Sequence, residues 1–172
     1  ESGQDFAVDL AVVAPGDTRL QISGSAARNF SDTNLDISGN TNASIANSFI
    51  RTRSIEGPVS VDVSVNGPPS LNAVSGRIQL SGGELADPGL GVRLQGLNVT
   101  ADLRNGRILV DARSGVAAGG SLAVSGPVDL QAGNLDLTIV LDNLVARDPN
   151  LYETQLNGQL TMSGNMASGP LI

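Results

Sequence analysis

Apolar residues recur at every second position through most of this chain, and that period belongs to the β-strand. Phe6, Val8, Leu10 and Val12 alternate with Ala7, Asp9 and Ala11. Val59, Val61, Val63 and Val65 alternate with Ser60, Asp62 and Ser64, and Leu135, Leu137 and Ile139 with Asp136 and Thr138. Shorter runs around Leu20, Leu35, Ile78, Leu122 and Leu160 keep the same rhythm. Such alternation predicts strands with one apolar and one wet face. No apolar stripe of helical period interrupts it.

One segment changes phase. Leu90, Val92 and Leu94 are even; Leu97, Val99, Ala101 and Leu103 are odd. The slip falls at Gly96, where a β-bulge or sharp bend is expected. Asn105-Gly106 lies between two alternating runs, the place for a two-residue hairpin turn. Asn157-Gly158 sits inside a run and predicts a bulge instead. Ala14-Pro15-Gly16-Asp17 and Asp87-Pro88-Gly89 are further turn signals. Together they predict a mostly antiparallel meander.

Short repeats punctuate the strands. An apolar-Ser-Gly tripeptide recurs at Ile22, Ile37, Leu80, Val124 and Met162, where it is expected to end strands. Gly-Pro-apolar recurs at Gly57, Gly126 and Gly169. The expected organisation is a single β-rich segment, 1–172, cut from a longer repetitive β-array.

Composition removes most chemistries. The chain has no His, Cys, Trp or Lys, and its ten basic residues are all Arg. Typical zinc sites, Ser-His and Cys-His nucleophile pairs, disulfides and Schiff-base lysines all lack their parts. A net charge of -7 with 2% aromatic residues leaves nucleic acid without phosphate-binding clusters or stacking rings. No apolar run is long enough to span a bilayer as a helix. Asp9, Asp36, Asp62, Asp102, Asp111, Asp129, Asp136 and Asp142 fall between apolar neighbours. They are therefore spread over the wet face rather than converged on a catalytic or calcium site. Gly82-Gly83-Glu84 is the nearest approach to a calcium repeat and falls short of it. Sequons at Asn29, Asn42 and Asn98 are what an Asn- and Ser-rich chain yields by chance. No enzyme, metal or cofactor is expected.

The apolar face is almost purely Val, Ile and Leu. A closed sandwich usually fills its centre with some large rings. An even aliphatic lining suits flexible hydrocarbon better than a sugar or base. Three architectures accommodate it: a β-sandwich with a plain aliphatic core, an open apolar groove, and a β-helix.

Several stretches resemble the C-terminal conserved domain of the TamB family, the periplasmic subunit of the translocation and assembly module of Gram-negative bacteria. The run from Phe6 through Ala14-Pro15-Gly16 is similar to the family's strand entering Ala-Pro-Gly. Gly76 to Gly91, Leu97 to Ile108, Gly119 to Val128 and Leu156 to Gly164 resemble its Gly-x-apolar-x-apolar units. The resemblance covers most of the chain and is weakest over residues 25–55.

It implies an all-β fold: a long, curved, mostly antiparallel sheet folded on itself like a taco around an apolar interior groove. It also implies a periplasmic location in a protein anchored in the inner membrane of a Gram-negative bacterium. The implied partners are phospholipid acyl chains, an outer-membrane barrel of the Omp85 type similar to TamA, and nascent outer-membrane proteins. The implied roles are phospholipid transport between the membranes and support of outer-membrane protein (autotransporter) assembly. The expected groove lining is Leu80, Val92, Leu94, Val99, Ile108, Val110, Leu122, Val124, Leu135, Leu137, Ile139 and Leu160. Two other readings are a chaperone-like module pairing with nascent β-strands, and a structural β-helix or adhesin stalk.

Overall fold

In the computed structural model, twelve strands form one sheet, and every ladder in it is antiparallel. The structure describes residues 5–29, 31–50, 52–89, 91–148, 152–165 and 169–171. The strands are β1 (Phe6–Ala14), β2 (Thr18–Ala26), β3 (Thr33–Asn42), β4 (Ser54–Glu56), β5 (Pro58–Gly67) and β6 (Val74–Asp87). They continue as β7 (Val92–Arg104), β8 (Arg107–Val116), β9 (Ser121–Asp129), β10 (Asn134–Asp148), β11 (Tyr152–Asn165) and β12 (Gly169–Leu171). Spatial order matches chain order, with one exception. β5 pairs with the first half of β6, and the short β4 pairs with its second half, at Glu84–Ala86.

The sheet is all-β, curved and open, as the alternation and the resemblance led one to expect. The helical content of the described residues is two short 3₁₀ segments, Ala43–Ser48 and Leu71–Ala73. Asn105 and Gly106 join β7 to β8 with φ of 51° and 72°, the paired positive values of a type I′ turn.

Among the described residues, close backbone approach is concentrated between strands adjacent in the sheet and between a strand and its flanking 3₁₀ turn. The accessible surface of 10977 Å² reflects this. A closed globule of 17.5 kDa would expose roughly 7900 Å². The excess excludes the compact sandwich. The antiparallel ladders exclude a parallel β-helix.

Three strands carry an extra residue, and each insertion restores the facing of the residues beyond it. On β6 the ladder with β7 shifts between Leu80 and Gly83, where Gly82 has φ 61°. On β7 it shifts at Gly96, also at φ 61°, against both β6 and β8. The bulge expected at the phase slip is therefore present. On β10, Asp142 and Asn143 together oppose Asn157. The irregularity foreseen at Asn157-Gly158 is real, but its extra residue lies on the facing strand.

The residue opposite an insertion supplies its missing acceptor. Asn98 Oδ1 accepts from the Gly82 N–H at 3.1 Å, and Asn157 Oδ1 from the Asn143 N–H at 2.8 Å. Asn29 and Asn42 likewise hold local turns through Ser31 and Ser44 N–H. All three sequon asparagines thus have a local structural role.

Candidate functional site

Residues directly opposite one another in an antiparallel ladder share a face, so the ladders define the apolar surface row by row. Leu10, Ile22, Ile37, Val63, Gly76, Leu103, Ile108, Val128, Leu135 and Gly164 stand side by side across ten strands. A second row runs Leu80, Val99, Ala112, Val124, Ile139 and Leu160. A third begins at Val12 and Leu20 and passes through Val61, Ile78, Ala101 and Val110 to Gly126. No polar side chain enters these rows.

All twelve expected lining residues fall on this one face. Val92 and Leu94 join it because the Gly96 bulge restores their phase relative to Val99. Leu94 pairs with Leu85 on one side and Val116 on the other, and Leu80, Leu94, Leu97 and Val116 are four of the six buried hydrophobic residues among those described. Val92, Val99, Ile108, Val110, Leu122, Val124, Leu135, Leu137 and Ile139 are half-buried. Leu160, near the far edge, is 53% exposed.

The expected list covers only half of the face. Leu10, Ile22, Ile37, Val61 and Ile78 extend it to β1 with no break in the rows. Their alternation was visible in the sequence, but their continuity with the later strands needed the ladder register. Leu97 and Val116, both buried, were also absent from the list. Polar side chains also stand on the face: Thr18, Thr33, Thr41 and Asp87, and, in the middle of the sheet, Ser114. Ser114 is buried, and its hydroxyl donates to the Gly115 and Gln95 carbonyls.

Among the described residues, no helix covers this face beyond the two short 3₁₀ segments. The two ends of the face are wettest, with Leu10 at 55% exposed and Leu156 at 42%. Extended apolar surfaces of this kind are characteristic of binding sites.

The opposite face is polar. A matching row reads Arg19, Asn40, Ser60, Gln79, Thr100, Asp111, Ser125, Thr138 and Thr161. Cross-strand ion pairs lace it: Arg77 Nε meets Asp102 Oδ1 at 2.6 Å, and Arg107 Nε meets Asp129 Oδ2 at 3.3 Å. The hydrogen bond from Arg77 holds the Asp102 carboxyl below the usual range. Asp129 is also lowered, chiefly by the Ala132 backbone N–H. Among the described residues, no His, Cys, Asp or Glu group gathers as metal ligands would. The acids lie dispersed, as their parity indicated.

Comparison with family models, curated proteins and solved structures returns no match.

Proposed function

We propose that this chain is a non-enzymatic, lipid-shielding β-segment whose apolar face carries phospholipid acyl chains. The observation that supports this most is the continuous row across ten strands, free of polar side chains, on the apolar face of an open sheet. Each methylene withdrawn from water contributes about 0.8 kcal/mol, so a 16-carbon chain loses roughly 10 kcal/mol or more on full exposure. A face of uniform Val, Ile and Leu keeps that contribution nearly constant from row to row. A chain then slides along it against small barriers and without a chemical energy source.

The resemblance to the TamB family sets this activity in the periplasm, within a protein anchored in the inner membrane. The carried lipid would pass between the inner and outer membranes, with an Omp85-type barrel and nascent outer-membrane proteins as partners. A strand-pairing chaperone is the second reading. It is favoured by β1, an edge strand with no Lys, Pro or bulge to protect it.

Displacement of a fluorescent fatty acid, with thermal melts alongside, tests the proposal. Leu160→Arg, at an exposed site, is expected to stay folded and bind several-fold more weakly, because the guanidinium reaches water while interrupting the row. Asp136→Arg, on the polar face, is expected to change neither. Unaltered binding in Leu160→Arg and in a matching Leu10→Arg variant would remove the apolar face from the mechanism and favour strand pairing.

A further inference from the structure

Two facing pairs on the polar face carry like charges: Glu56 with Glu84, where Arg93 approaches Glu84 at 3.9 Å, and Arg104 with Arg107. Arg104 and Arg107 are directly opposite in the β7–β8 ladder, on either side of the Asn105-Gly106 turn. Like charges so placed destabilise a sheet. The hairpin cannot relieve them by splaying. Leu130 N–H donates to the Gly106 carbonyl at 2.8 Å, and Gly106 is buried against the Asn72 and Gln131 side chains.

Nearby acids neutralise the arginine pair only in part. Asp129 offers Oδ2 to Arg107 at 3.3 Å, while its Oδ1 accepts from the Gln131 and Ala132 N–H groups. Asp102 is engaged by Arg77. Arg104 makes no ion pair within 4 Å among the described residues. Arg77, Arg104 and Arg107 with Asp102 and Asp129 rim an open hollow of about 750 Å³. Three cations against two anions leave a local excess of one positive charge, in a chain whose net charge is -7.

We propose that this hollow binds a phosphate group between the guanidinium forks of Arg104 and Arg107. The planar fork matches the tetrahedral oxyanion in two-point contact, and an anion between the two arginines turns their repulsion into a bridge. A local rule broken with only partial compensation is what a functional site is expected to show. The phosphate belongs to a lipid headgroup or to a soluble ester; both present the same oxyanion. The site lies on the opposite face from the acyl surface and stands independently of it.

The arginine Nε–H signals of the ¹⁵N-labelled protein, titrated at constant ionic strength, provide the test. Inorganic phosphate is expected to shift Arg104 and Arg107 saturably. Arg104→Gln should weaken binding about fivefold, the scale of one exposed charged contact. Arg113→Gln, elsewhere on the same face, should leave it unchanged. Without phosphate, Arg104→Gln should melt higher than the parent, which a merely structural arginine would not do. Glycerol 3-phosphate, and phosphatidylglycerol against phosphatidylcholine vesicles, separate the sources. Binding to phosphatidylglycerol vesicles that Arg104→Gln weakens to the same degree assigns a headgroup; binding of the soluble probes alone assigns an ester. Equal shifts with chloride, or unchanged phosphate binding in Arg104→Gln, would overturn the proposal.

Discussion

A β-carbon built on Gly39 would lie 2.1 Å from the Arg19 carbonyl oxygen, and one on Gly126 would lie 2.1 Å from that of Asp136. Both glycines have φ of 144°, and both stand on the apolar face. This gives the Ser-Gly repeat a physical meaning at Gly39 and Gly126, whereas Gly82 has open space around it and serves a bulge. The strands run on through these tripeptides rather than ending at them, contrary to the expectation from sequence. Gly39 and Gly126 allow the backbones of neighbouring strands to approach where the sheet bends. Gly39→Ala is therefore expected to cost on the order of 3 kcal/mol, combining an unfavourable φ with a backbone collision. Gly158, at φ 152° with nothing within 4 Å of its would-be β-carbon, supplies the contrast. Gly158→Ala should cost about 1 kcal/mol, strain alone. Urea midpoints of the two variants would measure the difference, and equal losses would refute the collision.

At the scale of the strand, the bulges make a sharper forecast. Without Gly96, β7 would read Leu94, Gln95, Leu97, Asn98, Val99, which is regular alternation. Its ladder with β8 would close with no residue left over. Deleting Gly96 should thus lower Tm by only about 5 °C, equivalent to roughly 1 kcal/mol. Deleting Thr100 from the same strand inverts one half of β7 and places apolar side chains in water. It should abolish the cooperative thermal transition. Similar melts for the two deletions would mean that phase along β7 is unimportant.

The same strand shows how far the sequence could be read. Period-two alternation gave the strands and the apolar side of each one. The Gly96 bulge was legible because Leu94 and Leu97 carry their own phase. The insertions at Gly82 and at Asp142–Asn143 lay hidden, since a second glycine or a lone Asn leaves no comparable trace. β4 was also unforeseen: three residues are too few for a period, and its partner on β6 is decided by the loop before it. The candidate site was half legible. The facing of Leu80 to Leu160 could be read from alternation, whereas its union with Leu10, Ile22 and Ile37 depends on pairing across the whole sheet.

Across the whole molecule, the edge formed by β1 governs association. β1 pairs on one side only, and Phe6, Leu10, Val12 and Val13 are exposed along it. Its nine residues suit antiparallel pairing with a second copy. Centred on Leu10, that register places Phe6 opposite Ala14 and Asp9 opposite Ala11, so no like charges meet. The apolar faces of both copies then continue on one side. Self-association that grows with concentration is expected by sedimentation velocity. Ala11→Lys, a charge on the edge strand, should return the chain to monomer while leaving its melt unchanged. A monomer at every concentration up to about 1 mM, well above the affinities of specific pairs, would count against an available edge.

Because each strand of the main path pairs there only with the strands before and after it, the sheet has the mechanics of a concertina. Its first and last strands lie at opposite edges. Tension between them therefore acts across the strands, and loads the hydrogen bonds of one hairpin at a time rather than a whole ladder in shear. Strands would peel away singly and at low force. The exception is the junction where β6 is gripped by β4 and β5 along one side and β7 along the other. That clasp also holds the buried Leu80, Leu94 and Leu97, so a stretched molecule would keep its centre longest and give way from its margins.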